Sequence, residues 1–313
     1  METHLITLPH KPTSPLHISL SLPSPIPPNP TLLIFLNGLL LPRTSWTPTV
    51  SHLLSSFSST HPLPALLTYD RFGQGTSPRD PADLLPSETP YGHDALSITT
   101  DLHALLTVTS TQYLHTPLSQ TKLIFIANSI GCPLARLYIT SHPDLTILAA
   151  IFLDSMMANA DFVSLLPDPE TTLDLEKNLP EGVTLGDIVH ARERFRAMFH
   201  PDVPNREGFD RRGLKRLLPE ADGPRLTRGM RLVVVGHDGD VFAEEGEKGS
   251  LGVKKAVTNA YVNPAWTRYN EGLTRLVADS ELKIAKGCGH FIQRDDPEFV
   301  AGEILRLLER VGK

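Results

Sequence analysis

Short runs of apolar residues without polar alternation recur along the 313-residue chain and constrain its fold more than any other feature. Residues 32–36 form one such run, which ends at Asn37-Gly38. A strand that is apolar at consecutive positions is buried on both faces, as strands of a parallel sheet are. The predicted buried strands cover residues 32–36, 65–69, 122–126, 147–153, 231–235 and 281–285.

Helical periodicity fills the gaps between these strands. Ile98, Leu102, Leu105 and Leu106 recur at the spacing that places side chains on one helix face. A C-terminal helix is predicted to begin with Pro297 at its first position. Strands that alternate with helices predict a parallel sheet covered by helices on both faces.

The N-terminal residues 4–8 and 16–22 are also candidate strands, bounded by Pro9, Pro12, Pro15 and Pro23. Prolines of this kind are typical of an antiparallel hairpin at the edge of a sheet. Together with the six buried runs, the hairpin predicts an α/β fold with a mostly parallel, eight-stranded sheet.

The stretch 155–230 interrupts the alternation, because it contains no strand candidate. Its clearest element is an amphipathic helix over residues 185–199. We therefore predict a helical cap, residues 155–230, inserted into a core domain that residues 1–154 and 231–313 form.

Composition excludes several classes of protein. Hydrophobic residues make up 40% and charged residues 20%, as in globular rather than disordered chains. The net charge of -6 gives no electrostatic reason to bind nucleic acid or an anionic membrane. No apolar run reaches the length of about 18 residues that a membrane span needs. Because a secretory signal pattern and a CxxC pair are also missing, we expect a cytoplasmic protein.

The segment Ala127-Asn128-Ser129-Ile130-Gly131 places a serine where the third buried strand meets a helix. So tight a turn needs small residues two positions before and after the serine, and Ala127 and Gly131 meet this need. The pattern predicts a nucleophile elbow, in which Ser129 is the nucleophile and the Ile130 N–H points at a developing oxyanion. A helix N-cap is the structural alternative for this serine.

A nucleophilic serine needs a base, because its hydroxyl is a weak nucleophile at neutral pH. Among the 13 histidines, His290 is the preferred base. It follows Gly287-Cys288-Gly289, between the last predicted strand and the last predicted helix. The glycines let this loop fold back over the carboxyl edge of the sheet, where Ser129 is expected.

The third member of such a site is an acid that fixes the imidazole tautomer. Asp238 is the first choice, because it follows the fifth buried strand after Gly236 and His237. Asp240 is an alternative if the loop carries an extra residue, and Asp154, at the end of the fourth strand, is another. The chain order Ser…Asp…His holds for all three and does not decide among them.

Two loops follow the first two buried strands. The loop 37–40 is predicted to supply the second oxyanion donor, the Leu39 N–H, with a simple turn as the alternative. The turn 70–77 contains a GxG pattern, which invites a dinucleotide interpretation. That interpretation fails because Pro78 stands where the third glycine is required, so we predict a structural turn that supports the oxyanion loop.

Together these features resemble the α/β-hydrolase family, in particular its esterase-like members with a helical cap. Residues 36–38 are similar to the HG loop of that family, with Asn37 where histidine is common. The turn 70–77 resembles its D-x-x-G-x-G-x-S turn, and residues 289–291 resemble its catalytic-histidine segment. Several stretches also resemble uncharacterised fungal members. Ala127 at the first elbow position and the doubled aspartate after the fifth buried strand depart from the family pattern.

The resemblance implies that Ser129, His290 and Asp238 are nucleophile, base and acid, with Asp154 and Asp240 as alternative acids. Epoxide hydrolases and haloalkane dehalogenases of this fold carry aspartate at the elbow, so Ser129 indicates an acyl-enzyme mechanism. The expected substrate is a small hydrophobic ester, thioester or lactone, and no metal or organic cofactor is required.

The fold hosts many activities, so other functions stay open. One alternative is a non-hydrolytic enzyme with the same triad, such as a lyase, acyltransferase or cyclase of secondary metabolism. Another is a ligand-binding receptor or pseudoenzyme. The oligomeric state is also left open.

Overall fold

The computed structural model describes residues 1–56, 64–83 and 88–311, and the strands in this part of the chain form one eight-stranded sheet. Positions 312–313 of the predicted core domain lie outside the described residues. The strands are β1 (Glu2–Leu8), β2 (Lys11–Ser21), β3 (Thr31–Leu36), β4 (Ala65–Tyr69), β5 (Lys122–Asn128), β6 (Ile147–Leu153), β7 (Arg231–Gly236) and β8 (Asp279–Ile284).

The strands lie in the order β1-β2-β4-β3-β5-β6-β7-β8. β1 pairs antiparallel with β2, and β2 pairs antiparallel with β4. All other neighbours are parallel. The predicted fold class is therefore confirmed, including the N-terminal hairpin at one edge. β5, the strand before the predicted elbow, lies near the centre.

β3 shows why the apolar runs lack alternation. Leu32, Ile34 and Leu36 pack into the hydrophobic core on one face of the sheet, whereas Leu33 and Phe35 pack into the core on the other face. Because successive side chains of a strand point to opposite faces, a strand between two cores needs apolar residues at every position.

Helices cover both faces of the sheet. α1 and α10 pack on one face, and α2, α3 and α8 pack on the other. Asp296 caps the first turn of α10 by accepting a hydrogen bond from Phe299 N (2.8 Å). The helices are α1 (Thr47–Ser56), α2 (Ala95–Gln112), α3 (Gly131–Ser141), α4 (Leu185–Phe199), α5 (Leu214–Leu217), α6 (Gly239–Lys248), α7 (Lys255–Val257), α8 (Asn263–Leu273), α9 (Ile292–Asp295) and α10 (Pro297–Val311).

Residues 155–230, all of which are described, lie between β6 and β7 and contain α4, α5 and short 3₁₀ turns. α4 begins with a capping box, in which Thr184 and Asp187 bond reciprocally. Ile188, Ala191 and Phe195 bury one face of α4 against the main core. The stretch is thus an insertion after β6, while its status as a separate cap domain stays a prediction. None of the helices within the described ranges is both long and apolar enough to cross a membrane.

Candidate active site

Ser129 lies between the end of β5 and the start of α3, in a backbone conformation that is rare for a non-glycine residue (φ 55°). Its N–H donates to Leu153 O at the end of β6 (3.1 Å). A Cβ at Gly131 would lie 2.6 Å from Leu36 O, so any larger residue would clash with β3. Ala127 is completely buried. The small flanking residues therefore have the steric reason that the elbow pattern predicts.

His290 lies in the loop between β8 and α9 and faces Ser129. Its Nε2 is 2.9 Å from Ser129 Oγ, and its Nδ1 is 2.5 Å from Asp154 Oδ2. Because a carboxylate only accepts, Nδ1–H donates to Asp154 and leaves Nε2 free to accept the serine proton. The structure thus brings Ser129, His290 and Asp154 into one line of hydrogen bonds.

Two contacts hold the loop of His290 in place. Asn128 Nδ2, next to the elbow serine, donates to His290 O (3.1 Å). Gly289 N donates to Asp295 Oδ2 (2.9 Å). A Cβ at Gly289 would lie 1.9 Å from Glu245 Oε2, so a larger residue here would displace the Glu245 carboxylate.

The structure does not place Asp238, the first choice from sequence, on His290. Asp238 caps α6 instead, by accepting from Asp240 N (3.2 Å), and it also accepts from Gly287 N (3.2 Å). The hydrogen bond from Gly287 is the main reason that the pKa of Asp238 is lowered. Asp240 is exposed and pairs with Lys255 Nζ (3.0 Å). The acid that contacts His290 is therefore the alternative, Asp154. Asp154 lies at the end of β6 beside the elbow, whereas the carboxylate of Asp238 points toward the N-terminus of α6.

A second histidine shares the Asp154 carboxylate, and the sequence interpretation missed it. His237 Nδ1 is 2.8 Å from Asp154 Oδ1, and His237 N donates to the same oxygen (3.3 Å). Burial raises the pKa of Asp154, but the charge and hydrogen bonds of His237 and His290 outweigh burial and leave that pKa lowered. The sequence signal for His237 is its position, because it directly follows β7 and precedes Asp238 in the same loop.

The predicted oxyanion loop runs beside Ser129. A Cβ built on Gly38 would lie 3.3 Å from Ser129 Cβ and 3.0 Å from Asn128 Oδ1. Within the described part of the chain, neither the Ile130 N–H nor the Leu39 N–H has a hydrogen-bond partner. Both groups are thus free to bind an oxygen atom of a ligand.

The turn 70–77 supports this loop, as predicted. Arg71 donates to Asn37 O (2.8 Å) and Gly38 O (3.1 Å). Gln74 Nε2 also donates to Gly38 O (2.8 Å). These bonds satisfy the backbone carbonyls of Asn37 and Gly38.

Glu207, a completely buried residue of the insertion, also contacts this loop. Its carboxylate forms an ion pair with Arg71 (3.1 Å) and accepts from Gln74 Nε2 (3.0 Å). It also accepts a short hydrogen bond from Leu40 N. We call Arg71, Gln74 and Glu207 the loop clamp. It ties the insertion to the oxyanion loop.

A family model described as the alpha/beta hydrolase family matches residues 33–303. The chain belongs to this family. The match confirms the predicted family, fold and broad enzyme class, a hydrolase, but not the substrate. No curated protein gives a significant match to the chain.

Solved structures of other alpha/beta hydrolases share the fold of this one at low sequence identity. An esterase from Thermogutta terrifontis is 16% identical, with full coverage of both chains and a TM-score of 0.53. Est1E from Butyrivibrio proteoclasticus, solved with ferulic acid, is 14% identical over 99% of this chain and 100% of its own, with a TM-score of 0.58. A mutant epoxide hydrolase from Vigna radiata is 12% identical over 99% and 98%, with a TM-score of 0.57.

Among the residues that the structure describes, one group has the donor types of a metal site. Asp80, Asp83 and His93 have ligand atoms within 4.8 Å of one another. Lys11 Nζ lies 2.5 Å from Asp80, and Arg79 pairs with Asp83 (3.4 Å). Because protein cations already neutralise both carboxylates, the group is an internal ion-pair network and we assign no metal to it.

Proposed function

We propose that this protein is a serine hydrolase that acts on an ester, thioester or lactone of a small hydrophobic substrate. The observation that carries the proposal is the unbroken line of hydrogen bonds from Ser129 Oγ through His290 to Asp154, with distances of 2.9 and 2.5 Å. Serine at the elbow supports ester rather than epoxide chemistry, because its attack on a carbonyl gives an acyl-enzyme that water can hydrolyse.

Each residue has a defined role in the proposed reaction. Ser129 Oγ attacks the carbonyl carbon while His290 Nε2 takes its proton, and Asp154 stabilises the resulting imidazolium. The N–H groups of Ile130 and Leu39 bind the oxyanion. His290 then gives its proton to the leaving group, and in a second step it activates the water that releases the acyl group from Ser129.

The surroundings of the two oxyanion donors support a hydrophobic substrate. Leu39 and Ile130 belong to a small apolar cluster that also contains Phe209, Leu214 and Leu218 from the insertion. Only Leu39 of these five residues is partly exposed, so an acyl chain beside the elbow would contact its side chain, and burial of that surface would contribute to binding by the hydrophobic effect.

A serine-directed fluorophosphonate tests the nucleophile. We expect it to label the wild-type protein at Ser129, as mass spectrometry of peptides would show, because His290 activates this hydroxyl. Ser129→Ala should abolish labelling. Ser141→Ala, a matched change at an exposed serine at the end of α3, should label like the wild type. Labelling that survives Ser129→Ala would contradict the assignment.

Substrate class needs a separate experiment. We expect turnover of at least one member of a panel of p-nitrophenyl esters of increasing acyl length and of lactones, and loss of that turnover in Ser129→Ala. Intact labelling combined with inactivity on the whole panel would instead favour the non-hydrolytic alternative, in which the same triad serves another reaction.

A further inference from the structure

Asp154 binds two imidazoles, one through each carboxylate oxygen. Oδ2 faces His290, and Oδ1 faces His237 Nδ1 at 2.8 Å. Asp154 has no solvent exposure and His237 is 7% exposed, so water does not compete for these bonds. The orientation of the carboxylate therefore depends on both histidines.

Asn263, at the start of α8, determines the protonation of the other ring nitrogen of His237. Asn263 Oδ1 lies 3.2 Å from His237 Nε2. The amide cannot be flipped, because Asn263 Nδ2 donates to the backbone carbonyl of Gly239 (2.8 Å), which only accepts. A second bond from Asn263 Nδ2 to Asn259 Oδ1 (2.7 Å) fixes the same orientation. His237 Nε2 must therefore carry a proton.

Both ring nitrogens of His237 thus face acceptors, the Asp154 carboxylate and the Asn263 amide oxygen. Either neutral tautomer would direct a lone pair at one of these oxygens, whereas the imidazolium donates to both. Other ionisable groups that act on this site are Asp238 in the adjoining turn, Glu245 of α6 and His290. The aromatic rings of Phe242 and Trp266 occupy the remaining sides.

The pKa of His237 agrees with this geometry. Burial lowers the pKa, but the charge of Asp154, its hydrogen bond and that of Asn263 outweigh burial and leave the pKa raised.

We infer that His237 is a positioning residue of the proposed triad, an imidazolium that keeps Asp154 ionised and orients its second oxygen toward His290. The catalytic effect of His237 rests on the proposed function. The charge of His237 is independent of that function. Through Asp154, the bond from His237 Nδ1 helps to hold the His290 ring in line with Ser129.

The charge state is tested by ¹⁵N NMR of the side-chain imidazoles in the full-length protein. The His237 signals are identified as those missing from the spectrum of His237→Asn. We expect both ring nitrogens of His237 to be protonated at pH 7, and a neutral ring in Asp154→Asn. A neutral His237 in the wild type at pH 7 would overturn the inference, whatever reaction the enzyme catalyses.

The catalytic consequence is tested by the rate of fluorophosphonate labelling and by kcat/KM on an active ester at pH 7. His237→Asn keeps an amide N–H near the position of Nδ1 but removes the charge. We expect this N–H to hold the Asp154 carboxylate and to keep the rate within about 10-fold of the wild type. His237→Phe, which removes the donor too, should be about 10-fold or more slower than His237→Asn. His52→Asn, a change at an exposed histidine of α1, should match the wild type.

The possible failures are distinguishable. Equal rates for the Asn and Phe variants would overturn the positioning role. If His237→Phe does not fold, the charge state of His237 in the NMR spectra still decides. Failure of the proposed function appears differently, as absence of Ser129 labelling in the wild type, and the NMR result on His237 holds in either case.

Discussion

Two non-glycine residues of the site, Ser129 and Asp154, have a left-handed backbone, with φ of 55° and 43°. Each lies directly after a strand, and its N–H donates to the end of the neighbouring strand. Ser129 N donates to Leu153 O (3.1 Å), and Asp154 N donates to Val235 O (2.7 Å). The sheet edge thus holds two unfavourable conformations side by side, as functional sites often do. This arrangement, rather than the flexibility of a loop, sets the direction of both side chains.

Asp154→Asn tests the acid at this scale. Asparagine tolerates the left-handed conformation, so the backbone should persist. The neutral amide would not stabilise the imidazolium that His290 forms when it takes the serine proton. We expect kcat on an active ester to fall by about 10⁴-fold.

Asp238→Asn and Asp240→Asn are the controls for this change. Asparagine is a good N-cap, so Asp238→Asn should leave α6 intact and turnover near that of the wild type. A large loss in Asp238→Asn, with Asp154→Asn close to normal, would return the acid role to the first choice from sequence.

At the scale of elements, the loop clamp joins three parts of the chain around the oxyanion loop. Arg71 follows β4, the loop follows β3, and Glu207 comes from the insertion after β6. Both members of the Arg71–Glu207 ion pair are nearly or fully buried, with 3% and 0% of the side chains exposed. Removal of one charge from such a pair is strongly unfavourable, because the other stays desolvated without its partner. The insertion therefore contributes to the geometry of the candidate site.

Glu207→Gln tests the clamp with little change of shape. We expect the free energy of unfolding in urea to fall by about 3 kcal/mol, because Arg71 keeps a buried and uncompensated charge. We also expect kcat to fall by about 10-fold, since Leu40 N loses a charged acceptor and the adjacent Leu39 N–H is held less firmly. Glu193→Gln, at an exposed position of α4, is the matched control. A loss of stability without a change in kcat would assign the clamp a structural role alone.

For the whole molecule, the fold and two site residues were predictable from sequence because their signals are local. Apolar runs such as 32–36 mark strands between two cores, and the turn around Ser129 carries its own steric pattern. The loop of His290 was recognisable from its glycines and its place between the last strand and helix. The choice of acid depends instead on side-chain direction, since Asp154 and Asp238 both follow central strands. Glu207 meets Arg71 across 136 positions of sequence, so no local pattern predicts their contact.

The charge of His237 also links the stability of the whole protein to pH. Its pKa is raised on folding, so the folded state binds the proton more tightly than the unfolded state does. This contribution to stability is complete below the unfolded-state pKa of about 6.5 and is lost as the pH rises through the folded-state value.

Urea unfolding of the wild type and of His237→Asn from pH 6 to pH 9 measures this contribution. We expect the difference in free energy of unfolding between the wild type and the variant to be largest near pH 6 and to decrease as the pH rises. The total decrease should be about 1.4 kcal/mol for each unit by which the folded-state pKa of His237 exceeds its unfolded-state pKa. Asp154 does not produce the same trend, because its lowered pKa affects stability only in acid, where the carboxylate takes up a proton. A margin that is constant across this range would mean that His237 stabilises the fold by packing against Phe242 and Trp266, without a charge.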